Sequence, residues 1–256
     1  MNEQERMAFF FEIFDASLPR LGPGDDASTQ KAIRLMLSAM PKGSTPAKIL
    51  DLGCGNGAQT VQLAKHAPGA ILAVDMHPPF LDELQLRAAA EGVGEKIQVQ
   101  CGDMSDLKLQ DASFDWIWSE GALYSMGFQN GLKAYHSRLV SQGLFAVSEL
   151  CWFKPDPPEE CWKFFETEYP PMTDVASHLA NIKDCHYEVL EHFTLPEKAW
   201  LDCYYLPLEK RLDSIQEKVA KDPERLGMVE SFRVEIDMYR KHSAYYGYEF
   251  FILRKS

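Results

Sequence analysis

An apolar run ending in Asp51-Leu52-Gly53-Cys54-Gly55-Asn56-Gly57 is where residue types and spacing in this chain point most directly to chemistry. Glycines at alternate positions after an acid let the backbone take positive φ and pass close to a ligand. A helix starting there leaves its first N–H groups free for a polar or anionic group. Acids recur at the ends of later apolar runs. Asp75 closes Ile71-Leu72-Ala73-Val74, Asp103 follows Cys101-Gly102, Ser119-Glu120 follows Phe114–Trp118, and Glu149 ends the run from Leu144. Polar groups at the tips of successive parallel strands are where open α/β sheets bind ligands.

The elements that must carry these groups can be read from the hydrophobic pattern. Lys48–Leu52, Ala70–Asp75, Ile97–Cys101, Phe114–Trp118 and Leu144–Leu150 are predicted strands, bounded by Gly, Pro and Asp. Helical periodicity lies between them at Gln59–His66, Pro79–Glu91 and Gly131–Val140. This alternation predicts a doubly wound α/β fold. Before it, Phe9, Phe10, Phe11, Ile13 and Phe14 suit a helix lying on the domain, which Gly22-Pro23-Gly24 breaks. Ser28 or Thr29 starts a second helix, which Pro41-Lys42-Gly43 ends. After the linker Lys154–Pro158 the pattern predicts helices at Glu159–Tyr169 and Asp174–Ile182, and a strand at Tyr187–Leu195. Helices follow at Glu197–Ala220, interrupted near Pro207, and at Pro223–His242, capped by Asp222, before a last strand at Tyr246–Leu253.

At 256 residues and 46% hydrophobic, the chain fits one large domain with a sizeable core rather than a disordered segment. A formal charge of −12 argues against a nucleic-acid partner, because a polyanion needs clustered cations. The six cysteines include no Cys-x-x-Cys pair, so neither a structural zinc nor any other metal site is expected. No basic leader precedes an apolar segment, and no uncharged run reaches the ~18 residues of a membrane span. The expectation is a soluble cytoplasmic protein with reduced thiols.

Asp51-x-Gly53-x-Gly55-x-Gly57, the acid Asp75 at the second strand's end, and Gly102-Asp103 after the third together resemble the motifs of class I S-adenosylmethionine-dependent methyltransferases. That likeness covers roughly Ala47 to Leu150. It looks closest to the small-molecule branch, related to ubiquinone-biosynthesis-type and nodulation-type enzymes. Trp118–Ala122 with Tyr124 and Gly127-Phe128, Ser148-Glu149 with Trp152-Phe153, and Tyr245–Tyr248 resemble an uncharacterised subgroup of it over nearly the whole chain. The resemblance implies a Rossmann-like, seven-stranded sheet whose last strand is antiparallel, with helices on both faces and a helical cover. It divides the chain into a helical lid segment (1–46), a cofactor-binding core (47–153), a helical insertion (154–185) and a C-terminal part of the same domain (186–256). It places Gly53, Gly55, Asn56 and Gly57 under the amino-acid and ribose parts of S-adenosylmethionine, with Asp51 steadying either the turn or the ligand ammonium. Asp75 receives the ribose hydroxyls with Met76 beside it. Gly102 and Asp103 meet the adenine amino group, and Met104 lies on the ring. Ser119 and the lid residue Gly24 complete the cofactor contacts.

Methyl transfer from a sulfonium is a direct displacement, so positioning the acceptor carries much of the catalysis. Glu120 and Glu149, with Tyr124, are the candidate catalytic groups; Glu120 is open to readings as base, orienting group or structural acid. Trp152, Trp200 and Tyr204 are candidates for holding the acceptor, unless these rings are core between cover and sheet. Rings with a carboxylate suit an amine through cation–π attraction. Two rival functions stand beside this one. Gly53-x-Gly55-x-x-Ala58 also satisfies the dinucleotide fingerprint of an NAD(P)-dependent oxidoreductase, although no Tyr-x-x-x-Lys pair accompanies Tyr124. A non-catalytic S-adenosylmethionine-binding protein is the other. The expected partner is a small-molecule methyl acceptor, with a homodimer left open.

Overall fold

The computed structural model describes residues 1–41 and 43–256, so Lys42, in the helix-ending Pro41-Lys42-Gly43, lies outside the described residues. The strands are β1 (Lys48–Leu52), β2 (Ala70–Asp75), β3 (Ile97–Cys101), β4 (Phe114–Glu120), β5 (Leu139–Trp152), β6 (Thr173–Asp174), β7 (Tyr187–Thr194) and β8 (Tyr246–Lys255). The helices are α1 (Glu3–Ile13), α2 (Asp26–Ala39), α3 (Ala58–His66), α4 (Pro78–Ala90), α5 (Phe128–His136), α6 (Glu159–Glu168), α7 (Val175–Asp184), α8 (Glu197–Trp200), α9 (Leu206–Val219) and α10 (Pro223–His242). Among the described residues, no helix is long and apolar enough to cross a membrane.

Seven strands form one sheet in the order β3-β2-β1-β4-β5-β8-β7, with two-residue β6 beside the end of β5. The first five run parallel, and β8 enters antiparallel to both β5 and β7. The order reverses at β1 and β4, where helices leave toward opposite faces and a crevice opens at the carboxyl ends. Alternation along the strands builds two cores. Ile49, Trp116, Trp118 and Ile252 face one cluster, while Leu50, Ile117, Phe145 and Phe251 face the other. The first cluster takes in α1, α2 and the cover formed by α6 and α8–α10, so the cover shares its core with the sheet.

Two elements differ from expectation, and a third takes a form the sequence did not specify. Helix α2 starts at Asp26 because the Asp25 carboxylate caps it, accepting from Ser28 N at 2.6 Å. Ser28 and Thr29 therefore lie inside the first turn. Leu139-Val140, read as helix, open β5, where Leu139 pairs with Phe114 ahead of a register shift. Gln142 at φ 61° turns the strand there, and the pattern of a short helix was broken by a bulge. The interruption near Pro207 is a π-helical turn at Leu201–Tyr205. Proline lacks an N–H and its ring crowds the carbonyl four residues back, so the helix widens just before it.

The glycine bend depends on a missing side chain. Gly57 sits at φ +85°, and a Cβ there would lie 2.2 Å from Leu84 Cδ1. Gly57→Ala should lower stability by about 2–4 kcal/mol in denaturant unfolding. Gly92→Ala, at φ +68° with nothing within 4 Å, should cost only about 1–2 kcal/mol. Equal losses would remove the packing argument.

Candidate active site

The bend between β1 and α3 is held from three sides. Cys54 N donates to Val74 O at 2.9 Å, tying it to β2. Gly55 N donates to Asp75 Oδ2 at 2.9 Å, and His77 N donates to Asp75 Oδ1 at 2.9 Å. Burial pushes the Asp75 carboxyl above its ordinary value while these two N–H groups pull it back. Asn56 Nδ2 reaches the opposite way, donating to Ala16 O at 3.0 Å and Leu18 O at 2.5 Å. Arg87 reinforces the same segment, donating to Pro19 O at 2.9 Å and Leu18 O at 2.7 Å. The N-terminal segment is therefore fastened to the loop, and it roofs the crevice with Phe10, Phe11 and Phe14. The Phe11 ring stacks on His77 at 3.6 Å.

The crevice has a volume of about 490 Å³. Gly53, Gly55, Asn56, Asp75, Met76, Gly102, Asp103 and Met104 all line it, so the structure brings together most of the residues expected to hold the cofactor. Gly53 must lack a side chain, because a Cβ at its φ of +66° would lie 2.3 Å from Ala122 Cβ. Asp103 is at the rim; its Oδ1 accepts from Ser105 N at 2.8 Å, and these hydrogen bonds hold its carboxyl below the ordinary value. The Tyr135 hydroxyl donates to Met104 O at 2.6 Å and fixes the loop that carries both.

Four expected cofactor contacts do not line the crevice. Gly57, at the start of α3, faces Leu84 and borders a separate cavity. Asp51 is fully buried behind the loop, accepting from Thr60 Oγ1 at 2.6 Å while its Oδ1 has no partner and no access. Burial pushes its carboxyl up to about 7. Of its two expected roles, steadying the turn is the one this placement allows. Ser119 points into the sheet and donates to Leu52 O at 3.1 Å, because strand alternation turns it away from the tip that Glu120 occupies. Gly24 packs on Arg20 and Glu120 instead, and its neighbours Gly22 and Pro23 line the crevice.

Glu120 is committed to structure. Its Oε1 accepts from Thr29 Oγ1 at 2.8 Å and from Trp118 Nε1 at 3.0 Å, and its Oε2 faces Arg20 Nη1 at 3.4 Å. Burial raises its pKa and Arg20 opposes that rise. With both oxygens occupied and a guanidinium beside it, it ties α2 to β4 and is a poor base.

Past Gly22, Pro23, Gly121 and Tyr124 the crevice continues into a second chamber of about 280 Å³. Glu149 lies in its wall, 2% exposed, accepting from the Tyr169 hydroxyl at 2.7 Å. Burial pushes its carboxyl up to about 7. Trp200 and Tyr204 line this chamber as expected, and Tyr124 stands at the junction. Trp152 does not: it stacks on Trp162 and packs against Phe165 and Tyr246 behind the wall. Sequence reasoning missed Glu235 of α10, whose Oε1 accepts from the Tyr205 hydroxyl at 3.0 Å and whose carboxyl burial also pushes up to about 7. A signal was present. Phe232, Glu235, Ile236 and Tyr239 share one helix face, and an acid in an apolar stripe marks a buried carboxylate.

Residues 49–143 match the family model of a methyltransferase domain. The matched domain is that of a class I S-adenosylmethionine-dependent methyltransferase. The chain is 24% identical over 216 residues to O-methyltransferase resE of Aspergillus sclerotiorum, covering 80% of this chain and 81% of that one. It is 30% identical over 120 residues to carboxy-S-adenosyl-L-methionine synthase of Shewanella pealeana, where it spans 45% of this chain and about half, 49%, of the relative. A solved S-adenosylmethionine-dependent methyltransferase from Thiobacillus denitrificans, in complex with S-adenosyl-L-homocysteine, shares the fold with a TM-score of 0.79. That match has 21% identity and covers 96% of this chain and 98% of the other. These relatives give the oxidoreductase reading no support.

The crevice fits the cofactor this class uses. Its floor is a side-chain-free bend, and a half-buried carboxylate waits at the tip of β2. Asp75→Ala should weaken S-adenosylmethionine binding by roughly 100-fold or more in calorimetry, as expected for two hydrogen bonds to a charged group. The circular dichroism spectrum should stay the same. Unchanged affinity would remove Asp75 from the site.

Proposed function

We propose that this methyltransferase methylates the nitrogen of a small amine held in the aromatic chamber, with Glu149 as the proton acceptor. The observation that carries this reading is the chamber wall. It combines aromatic rings with the carboxylates of Glu149, Glu168 and Glu235, and among the described residues no Lys, Arg or His lines it. An ammonium is stabilised both by ring faces and by carboxylates. An anionic acceptor would meet three acids and no counter-charge.

When bound, S-adenosylmethionine supplies an electrophilic methyl group on a sulfonium. Gly53, Gly55 and Asp75 would hold its amino-acid and ribose parts, and Asp103 with Met104 its adenine. Phe10 and Phe14 line both cavities and keep water from the junction. Glu149 takes a proton from the acceptor ammonium, which frees the nitrogen lone pair for in-line attack at ~3–3.5 Å. The Tyr169 hydroxyl orients that carboxylate. Tyr124, at the junction, helps to position the acceptor.

The pH dependence has a definite sign. A base with a pKa of about 7 is ionised above that value, so kcat/KM for the amine should rise as pH increases through about 7. Glu149→Gln should lower kcat by roughly 10²–10⁴-fold, abolish the limb near pH 7 and keep cofactor affinity within twofold. The assay is transfer of a labelled methyl group to a panel of small amines. A wild-type protein that binds the cofactor but methylates none of them would overturn the amine reading. Equal turnover in Glu149→Gln would clear that residue.

A further inference from the structure

Two carboxylates in the wall of the aromatic chamber, the buried Glu149 on β5 and the half-buried Glu235 on α10, lead us to infer that the acceptor is a compact diamine. In this arrangement one nitrogen is methylated at Glu149 while the other stays cationic at Glu235. The inference rests on the amine reading above and goes further by naming the number and placement of the acceptor's charges.

The two acids are built alike. Each is held by one tyrosine hydroxyl, Tyr169 on Glu149 at 2.7 Å and Tyr205 on Glu235 at 3.0 Å. Neither has an ion-pair partner among the described residues. The ionisable groups facing Glu149 are Tyr169, Tyr124, Tyr248 and Cys151. Those facing Glu235 are Tyr205, Tyr204, Tyr246, Tyr248, Tyr124 and the third acid, Glu168. None of these is a cation.

Removing a carboxylate from water costs several kcal/mol unless a counter-charge compensates. At a neighbouring strand tip the buried Glu120 is given one by Arg20, whereas Asp51, sealed behind the glycine bend with no access to a ligand, is not. The chamber leaves two without any, at separate places in its wall, and Tyr248 of β8 senses both. A monoamine would neutralise one and leave the other. A diamine satisfies both, and the roles then divide. The attacking nitrogen must be neutral, so its proton passes to Glu149. The distal nitrogen keeps its proton and its charge, and Glu235 anchors it. On this account Glu149 is the catalytic residue and Glu235 determines specificity. About 280 Å³ restricts the partner to a small molecule.

The experiment compares α,ω-diaminoalkanes of two to six carbons with n-alkylamines of matched length, using the full chain with S-adenosylmethionine and labelled methyl transfer. At one spacing at least, wild-type kcat/KM should favour the diamine by tenfold or more. Glu235→Gln should collapse that ratio toward one, mainly through a higher KM for the diamine. Monoamines used as well as every diamine would overturn the inference while leaving the amine reading intact. So would a ratio that survives in Glu235→Gln. If that variant does not fold, the wild-type comparison decides alone. If neither series is methylated although calorimetry shows the cofactor bound, the amine reading falls and takes this inference with it.

Discussion

Asp75 binding the Gly55 N–H is the contact on which the site is built. It joins the tip of β2 to the bend after β1, and so fixes where that bend lies over the strand tips. The bend itself can form only because Gly53 and Gly57 have no side chains to strike Ala122 and Leu84. Asn56 then carries the constraint outward. Two hydrogen bonds from its amide pull residues 16–18 onto the loop, and the aromatic residues of α1 follow them over the opening. One turn geometry thereby sets both floor and roof.

Glu120 shows how the same fold resolves a buried charge with its own groups. Arg20 compensates it, Thr29 and Trp118 complete its hydrogen bonds, and α2 is locked against β4. Glu149 and Glu235 are the contrast. They have hydroxyl partners but no cation, and their pKa values are pushed up to about 7. Carboxylates that titrate near neutrality in a cavity suit proton transfer and cation binding. What distinguishes the three acids is whether the protein itself supplies a counter-charge.

The cover explains why the chamber lies beside the cofactor crevice and not apart from it. Helix α10 brings Glu235 and Phe232, α6 brings Phe164 and Phe165, and the turn before α9 brings Tyr204 and Tyr205. The antiparallel β8 brings Tyr246 and Tyr248 to the same place. Residues distant in sequence meet because β8 threads between β5 and the edge strand β7, next to the strand that carries Glu149.

Much of this was legible in the sequence. The five parallel strands, the glycine bend and the acids at their tips follow from local pattern, because strand burial and turn chemistry are properties of neighbouring residues. Asp75, Asp103 and Met104 reach the crevice for that reason. Side-chain direction at a strand tip is less local. Ser119 and Glu120 are adjacent, yet alternation sends one into the sheet and the other toward Arg20, and the bulge in β5 moved a boundary that periodicity had placed in a helix. Trp152 and Trp200 were equivalent as sequence, and packing made one a wall and the other support behind it. The sequence by itself determined the scaffold and the cofactor crevice. Only the tertiary structure decided which carboxylates remain without a cation, because that depends on residues brought together from β5, α10 and the cover across long stretches of chain.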